Sequence, residues 1–214
     1  RGLGDVYKRQ PRMVPLSVLD LSPITQGNNA SQALHNSLDL AQQAERLGFN
    51  RYWVAEHHGM AGIASAATSV VIGHIAGGTR SIRVGSGGIM LPNHNPLRLV
   101  EIFRTLEALH PGRIDFGIGR APGTDPVTAS ALQRGLNNDP NECLAELLAF
   151  DRATFPDQHP FHKIIPMPSD VSLPPIWMLG STMAGAAIAA SLGLRYAFAG
   201  HFAMQNANAA LTLY

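Results

Sequence analysis

Short apolar runs alternate with segments of helical period along this sequence, and that alternation constrains the fold more than any other feature. Six runs have the composition of buried strands: 16–20, 51–55, 82–86, 113–118, 176–179 and 196–199. Helices are predicted from Ser31 (as N-cap) to Leu47 with Gly48 as the stop, and over 65–76, 97–109, 127–135, 142–155, 182–192 and 207–214. Repeated strand–helix steps predict a parallel sheet with right-handed crossovers.

Doubly wound sheets and barrels both satisfy this alternation, and two observations favour a barrel. No glycine-rich dinucleotide fingerprint follows the first predicted strand. Polar residues instead follow the ends of successive strands, which is where an α/β barrel places its site. We therefore predict a (β/α)8 TIM barrel. At 214 residues the chain is shorter than the roughly 250 that a complete barrel needs, so we expect it to stop after about the sixth β/α unit.

Composition argues against several other classes of protein. The net charge is +1 and no basic run occurs, which argues against a nucleic-acid or membrane-surface partner. No apolar run approaches the roughly 20 residues of a membrane span. The single cysteine, Cys143, excludes an intrachain disulfide framework. In the absence of a visible secretory signal, this favours a cytoplasmic location.

The two ends of the sequence need a separate interpretation. Residues 1–10 match, residue for residue, the translation of a sequencing-library adaptor, and a natural disordered arm is the alternative. The expected organisation is an adaptor-derived or disordered leader over 1–12, followed by an incomplete barrel domain over 13–214. An open barrel would expose edge strands and apolar helix faces, so inactivity or aggregation of this chain by itself is a further hypothesis.

Glu56, His57 and His58 follow the second predicted strand and form the first candidate site. A carboxylate beside two imidazoles offers an acid/base group near neutral pH and a partner that orients it. A metal site is disfavoured, because neighbouring side chains on a strand point to opposite faces. Structural histidines that cap a loop or satisfy a buried hydrogen bond are the remaining alternative.

Three later strand ends carry weaker signals. Glycines 85, 87 and 88 would let a planar ligand approach the backbone, although a bulge or tight turn explains them equally well. Arg120 could bind a phosphate or pair with a nearby carboxylate. Gly180 and Ser181 begin a strand-to-helix turn that could hold an anion, and simple N-capping by Ser181 or Thr182 is the alternative.

Taken together, the segments YWVAEHH, VGSGGIMLPNHNPLR, LEALHPGRIDFGIGRAPGTD and WMLGS resemble the bacterial luciferase-like monooxygenases, a family of flavin-dependent oxidoreductases. The resemblance runs from about Val14 to Tyr214. It implies a luciferase-like (β/α)8 barrel in which His57 is the catalytic acid/base, with Glu56 and His58 beside it.

The resemblance also implies a cofactor site. Gly87 and Gly88 match the place of a non-prolyl cis peptide under the flavin ring. Arg120 matches an arginine that contacts the flavin phosphate, and Gly180, Ser181 and Ala184 match the rest of the phosphate site. A threonine near the last position and a glutamate at Gly180 are absent here, which puts the phosphate geometry in doubt.

The implied activity is that of an FMN-dependent oxidoreductase acting on paired donors with molecular oxygen. It would use reduced FMN from a separate reductase and O2 to oxygenate a small organic substrate, with no metal. The alternatives are a deazaflavin (F420)-dependent oxidoreductase on the same barrel and a non-catalytic flavin-binding relative. A homodimer is compatible with the small-residue face at 64–67, for which ordinary intramolecular packing is the alternative.

Overall fold

The computed structural model describes residues 14–214, which form one all-parallel sheet with helices between its strands. The strands are β1 Ser17–Asp20, β2 Arg51–Val54, β3 Arg83–Ser86, β4 Ile89–Met90, β5 Ile114–Gly119, β6 Ile176–Gly180 and β7 Arg195–Phe198. The helices are α1 Ala30–Arg46, α2 Thr68–Gly78, α3 Pro96–Leu109, α4 Pro126–Leu132, α5 Pro140–Arg152, α6 Met183–Leu192, α7 Gly200–Ala203 and α8 Ala207–Leu213. The expected leader at 1–12 lies outside the described residues.

The strand order is β1-β2-β3-β5-β6-β7, with β4 paired to β5 beyond the end of β3. Consecutive strands are therefore neighbours, as in a barrel wall, and the chain does not reverse direction across the sheet as a doubly wound fold would. Within residues 14–214, β1 and β7 are unpaired with each other, so the described sheet is an open wall. Closure into a full barrel stays a prediction.

The six predicted strands and the long predicted helices are confirmed, with two differences. The two-residue strand β4 was not predicted, because two residues are too few to show a period. The N-cap of α1 is Asn29 and not Ser31: the Asn29 side chain accepts a hydrogen bond from the backbone N–H of Gln32 at 3.0 Å, and Ser31 lies inside the helix. Gly48 follows this helix with φ at +77°, as its predicted stop role requires.

The two faces of the sheet have different chemistry. One face, covered by the helices, carries alternate apolar residues of the strands, among them Tyr52, Val84, Phe116 and Met178, all fully or almost fully buried. The opposite face, which we call the inner face, carries the intervening residues. This alternation follows from the period of two residues in a strand, and it places the largest polar cluster of the sheet on the inner face.

Asp115 is the centre of that inner-face cluster and is completely buried. Its carboxylate accepts hydrogen bonds from Arg51 Nε at 2.9 Å and from Arg83 Nη2 at 2.7 Å. It also accepts from the indole N–H groups of Trp53 at 3.1 Å and Trp177 at 3.4 Å. A buried carboxylate is tolerated only when its charge and lone pairs are satisfied in this way. The cluster therefore ties β2, β3, β5 and β6 together.

Glu45, near the end of α1, anchors the loop that enters β3. Its Oε1 accepts backbone hydrogen bonds from Arg80, Ser81 and Ile82 at 2.9, 2.6 and 2.9 Å. Partial burial raises the pKa of this carboxyl, but the three N–H donors outweigh burial and lower the pKa from 4.5 to about 2. The charged form of Glu45 is therefore the form that stabilises the fold.

Replacing Glu45 by alanine should lower the free energy of unfolding at neutral pH by about 1–3 kcal/mol. Because the folded-state pKa is depressed, this contribution is complete above pH 4.5 and is lost as the pH falls toward about 2. Urea unfolding at neutral and acid pH should show the difference between the two proteins shrinking in acid. Asp39→Ala, on the exposed side of α1, is the control, and a pH-independent difference would contradict the assignment.

Among residues 14–214, no helix is long and apolar enough to cross a membrane.

Candidate functional site

The predicted site residues lie at one edge of the sheet. Because all strands are parallel, the segments that follow β2, β4, β5 and β6 leave the sheet at the same edge. Glu56, His57 and His58 follow β2, His94 follows β4, and Arg120 follows β5 directly. The structure therefore gathers residues that are far apart in the sequence along a single rim.

Glu56 is completely buried and is the hub of this rim. Its carboxylate accepts hydrogen bonds from His58 Nε2 at 2.7 Å and from His94 Nε2 at 2.9 Å to each oxygen. The backbone N–H of Met90 adds a bond at 3.0 Å, and the side-chain amide of Asn93 adds a longer one at 3.4 Å. One carboxylate is thus shared by two imidazoles from different segments.

The charge state of Glu56 follows from these donors. Burial alone raises the pKa of a carboxyl group, since it penalises the charged form. The interaction with His94, followed by hydrogen bonds from His58 and the Met90 N–H, outweighs burial and holds the pKa of Glu56 below 4.5. Glu56 is therefore an ionised acceptor at neutral pH.

His57 lies in a different environment from its neighbour His58. Its Nδ1 atom is enclosed and has no hydrogen-bond partner among the described residues. Burial is the main cause that lowers the pKa of His57 below 6.5; the charge of Glu56 opposes this, and the neighbouring His58 adds to it. A neutral imidazole with an enclosed, unsatisfied nitrogen is uncommon in a folded protein. Its hydrogen-bonding capacity is therefore left unused by the described residues.

The segment after Arg120 packs on the segment that carries Glu56 and the two histidines. The Pro122 carbonyl accepts a hydrogen bond from the Asn93 side chain at 2.8 Å, and the Thr124 hydroxyl donates to the His58 carbonyl at 2.7 Å. Gly123 adopts φ at +64°, and a Cβ there would stand 3.1 Å from the Glu56 carbonyl oxygen. A glycine therefore lets this loop lie directly on the segment that carries the histidines.

Gly87 and Gly88 join β3 to β4, and the peptide bond between them is cis. The Gly88 carbonyl accepts a hydrogen bond from the Glu56 backbone N–H at 3.4 Å. A Cβ on Gly88 would lie 2.9 Å from the Gly117 carbonyl oxygen, and one on Gly87 would lie 2.5 Å from Leu19 Cδ1. A side chain at Gly88 would collide with backbone, and one at Gly87 would require Leu19 to move, so glycine suits both positions.

Arg120 lies against the first turn of α6. A Cβ built on Gly185 would be 3.1 Å from Arg120 Nη2, so the glycine lets the guanidinium approach the helix. Within residues 14–214, none of the ion pairs involves Arg120. The alternative of a structural arginine paired with a carboxylate therefore finds no support in the described part of the chain.

The β6–α6 turn supplies the remaining predicted residues. Thr182, and not Ser181, is the N-cap of α6, and its hydroxyl accepts from the Gly185 N–H at 3.3 Å. The Tyr196 hydroxyl donates to the Gly180 carbonyl at 3.1 Å and so fixes the turn. Ser181 is partly exposed and Ala184 exposed, which leaves both facing outward from the core. Their contact with a ligand stays a prediction.

Two residues of this rim were missed in the sequence. His94 was not predicted as a site residue, because nothing local indicates a hydrogen bond to a carboxylate 38 positions earlier. Gly185 was missed because its role, to leave room for the Arg120 guanidinium, depends on a contact that the sequence does not show. Among the described residues, no group of three or more His, Cys, Asp or Glu side chains has an arrangement that could hold a metal ion.

Comparison with known proteins identifies relatives of this chain. Residues 14–214 match the family model described as "Luciferase-like monooxygenase". A protein of that name from Escherichia coli (strain K12) is 49% identical over 207 residues, which cover 95% of this chain and 60% of the relative. The N-acetyl-S-alkylcysteine monooxygenase of Bacillus subtilis is 42% identical over 190 residues, covering 87% and 57%.

Solved structures agree with the fold. Apo-MsnO8 superposes with a TM-score of 0.83 at 38% identity, covering 94% of this chain and 60% of that one. The oxygenating constituent of 3,6-diketocamphane monooxygenase from Pseudomonas putida, solved with FMN, has a TM-score of 0.66 at 18% identity, covering 86% of this chain and 56% of that one. At that identity the likeness concerns the fold alone. The chain spans about three-fifths of the length of the first curated relatives it matches.

Proposed function

Because the chain belongs to the luciferase-like monooxygenase family, we propose that it contributes the flavin-binding and proton-handling part of an FMN-dependent monooxygenase. The observation that carries this proposal is the enclosed Nδ1 of His57, which lacks a partner among the described residues, on the same rim as Arg120. An arginine with no carboxylate partner among the described residues suits the phosphate of a bound cofactor, and a neutral imidazole on the same rim suits proton transfer.

The residues of the rim fit an FMN molecule at two points. Arg120 and the first turn of α6 offer a guanidinium and free backbone N–H groups, which suit a phosphate. Gly87 and Gly88 lie on the same rim, and the family resemblance places the flavin ring beside their peptide bond. Bound reduced FMN would supply the electrons that activate O2 for transfer of one oxygen atom to a small organic substrate.

His57, His58 and Glu56 would manage protons at this site. The lowered pKa of His57 keeps its imidazole neutral near pH 7, so it can accept a proton from a reacting group. Glu56 holds the ring of His58 by a hydrogen bond of 2.7 Å and does not itself become the base, because its own lone pairs are occupied by donors. A separate reductase would supply the reduced cofactor.

A deazaflavin-dependent oxidoreductase is the second candidate. A fold neighbour with a TM-score of 0.59 and 20% identity is an F420-dependent secondary alcohol dehydrogenase. The same rim could hold either cofactor, since both carry a tricyclic ring and a phosphate. Titration with reduced FMN and with reduced F420, followed by oxygen consumption, separates the two and also tests a flavin-binding relative without turnover.

Replacing Arg120 by alanine should weaken FMN binding by about 10- to 100-fold, the loss expected for one charge-assisted hydrogen-bonded contact. Riboflavin lacks the phosphate, so its affinity should change by less than about twofold. Fluorescence titration with both compounds measures the difference. Arg152→Ala, an exposed arginine at the end of α5, is the control. Equal losses for FMN and riboflavin would contradict a phosphate contact.

A further inference from the structure

The contact between Glu56 and His94 indicates a role for His94 in the site that no sequence pattern predicted. His94 Nε2 lies 2.9 Å from each oxygen of Glu56, so it bridges the carboxylate, whereas His58 Nε2 contacts only Oε1 at 2.7 Å. The other two donors are the Met90 N–H on Oε2 and the more distant Asn93 amide on Oε1. His94 is thus the only side chain of the described residues that contacts both oxygens.

We propose that His94 is a positioning residue: through the shared Glu56 carboxylate it holds His58 in the tautomer with the proton on Nε2, so that His58 Nδ1 is left as an acceptor. An ionised carboxylate only accepts hydrogen bonds, so each imidazole nitrogen that touches it must carry a proton. In a neutral imidazole the other nitrogen is then unprotonated. Neither His58 Nδ1 nor His94 Nδ1 is among the enclosed, unpartnered atoms, so both reach open space.

The surroundings of His94 give it a fixed position. It follows the short 3-10 turn Leu91–Asn93, whose three residues are buried, and its backbone N–H donates to the Leu91 carbonyl at 3.2 Å. The Asn93 side chain donates to the Pro122 carbonyl at 2.8 Å and accepts from the Gln133 amide at 3.0 Å. The titratable groups facing Glu56 are His58 and His94, with His57 next to it in the chain. The segment that precedes His94 is therefore fixed beside the carboxylate.

Loss of His94 would remove the group that most strongly lowers the pKa of Glu56 against the effect of burial. Burial raises the pKa of Glu56, and His94 is the first of the groups that lower it again. Without this imidazole the Glu56 carboxyl takes up a proton more readily, and a protonated carboxyl no longer requires a proton on His58 Nε2. Glutamine at position 94 can restore the contact, because its side-chain amide is also a donor.

The experiment reads the tautomers directly and needs no flavin. The chain is labelled with 15N in its histidine rings, and long-range proton–nitrogen NMR spectra assign the protonated nitrogen of each ring; His58→Gln identifies the His58 signals. We expect the Nε2–H form for His58 and His94. His35 is the internal reference with the opposite form, because its Nδ1 lies 2.7 Å from the Ser31 carbonyl, which can only accept.

His94→Ala should change the tautomer ratio of His58 by about tenfold, as expected for loss of one charge-assisted hydrogen bond. His94→Gln should leave that ratio near the original, and His35 should be unaffected in both. The Nδ1–H form of His58 in the unmodified chain would overturn the proposal, even if His94→Ala does not fold. So would an unchanged His58 ratio in folded His94→Ala.

Only the consequence for turnover rests on the proposed function. If the proposed function holds, His94→Ala lowers kcat and shifts its pH profile, and His94→Gln restores both, while FMN affinity stays the same. Absence of FMN binding by the unmodified chain, with the expected tautomers present, would refute the proposed function and leave the positioning role intact.

Discussion

Asp115→Ala is expected to lower the free energy of unfolding by about 3–5 kcal/mol, because it leaves two largely buried arginines without their carboxylate. Arg51 and Arg83 have side chains only 19% and 23% exposed, and both pair with this one group. Trp53 and Trp177 would lose an acceptor at the same time. Urea unfolding followed by circular dichroism measures the change as a lower midpoint at similar slope.

Asp157→Ala is the control for this measurement. Asp157 is 90% exposed and lies 3.8 Å from His162, so removing it should change stability by less than about 0.5 kcal/mol. Asp115→Asn keeps the shape of the side chain and one acceptor oxygen. We expect its loss of unfolding free energy to lie between those of Asp115→Ala and Asp157→Ala. A change below 1 kcal/mol in Asp115→Ala would show that water satisfies the arginines on the inner face.

His57→Ala is expected to slow oxygenation by about 10²- to 10⁴-fold, the usual contribution of a general acid or base. FMN affinity should change little, since the proposed phosphate contacts lie at Arg120 and α6. Product formed per reduced FMN supplied measures the first effect, and a binding titration measures the second. The neutral state of His57 follows from burial, which lowers its pKa.

The control for His57 is another histidine outside the rim. His162→Ala, whose side chain is 39% exposed, should leave both quantities unchanged. An unchanged product yield in His57→Ala would refute the acid/base role. If His58→Ala abolished turnover and His57→Ala did not, the acid/base role would be assigned to His58.

Much of the fold was predictable because each long element has a period of its own. The strand β5 is buried along its whole length, and α1 has apolar residues at helical spacing and a glycine stop. The short elements β4 and α7 have too few residues to show a period. The N-cap of α1 is Asn29, whereas Ser31 was predicted. Asparagine and serine are comparable N-caps, so the choice between them depends on the local path of the chain.

The site was predictable where its residues are consecutive and not where they meet across segments. Glu56, His57 and His58 form one visible motif, whereas the contact of His94 with Glu56 depends on the positions of β2 and β4 in the sheet. The nearness of Arg120 to Gly185 likewise depends on β5 and β6 being neighbours. Local patterns reveal which residues are chemically able to act, and topology decides which of them act together.

The two tryptophans of the inner face have a spectroscopic consequence. Trp53 and Trp177 are the sequence's only tryptophans, and their rings contact edge to face with centroids 5.4 Å apart. Excitation selective for indole therefore yields fluorescence from the inner face alone, because no other residue of the sequence is a tryptophan. Folding, loss of the Asp115 acceptor and arrival of a light-absorbing ring at the nearby rim can each be followed through this single emission, without attaching a dye.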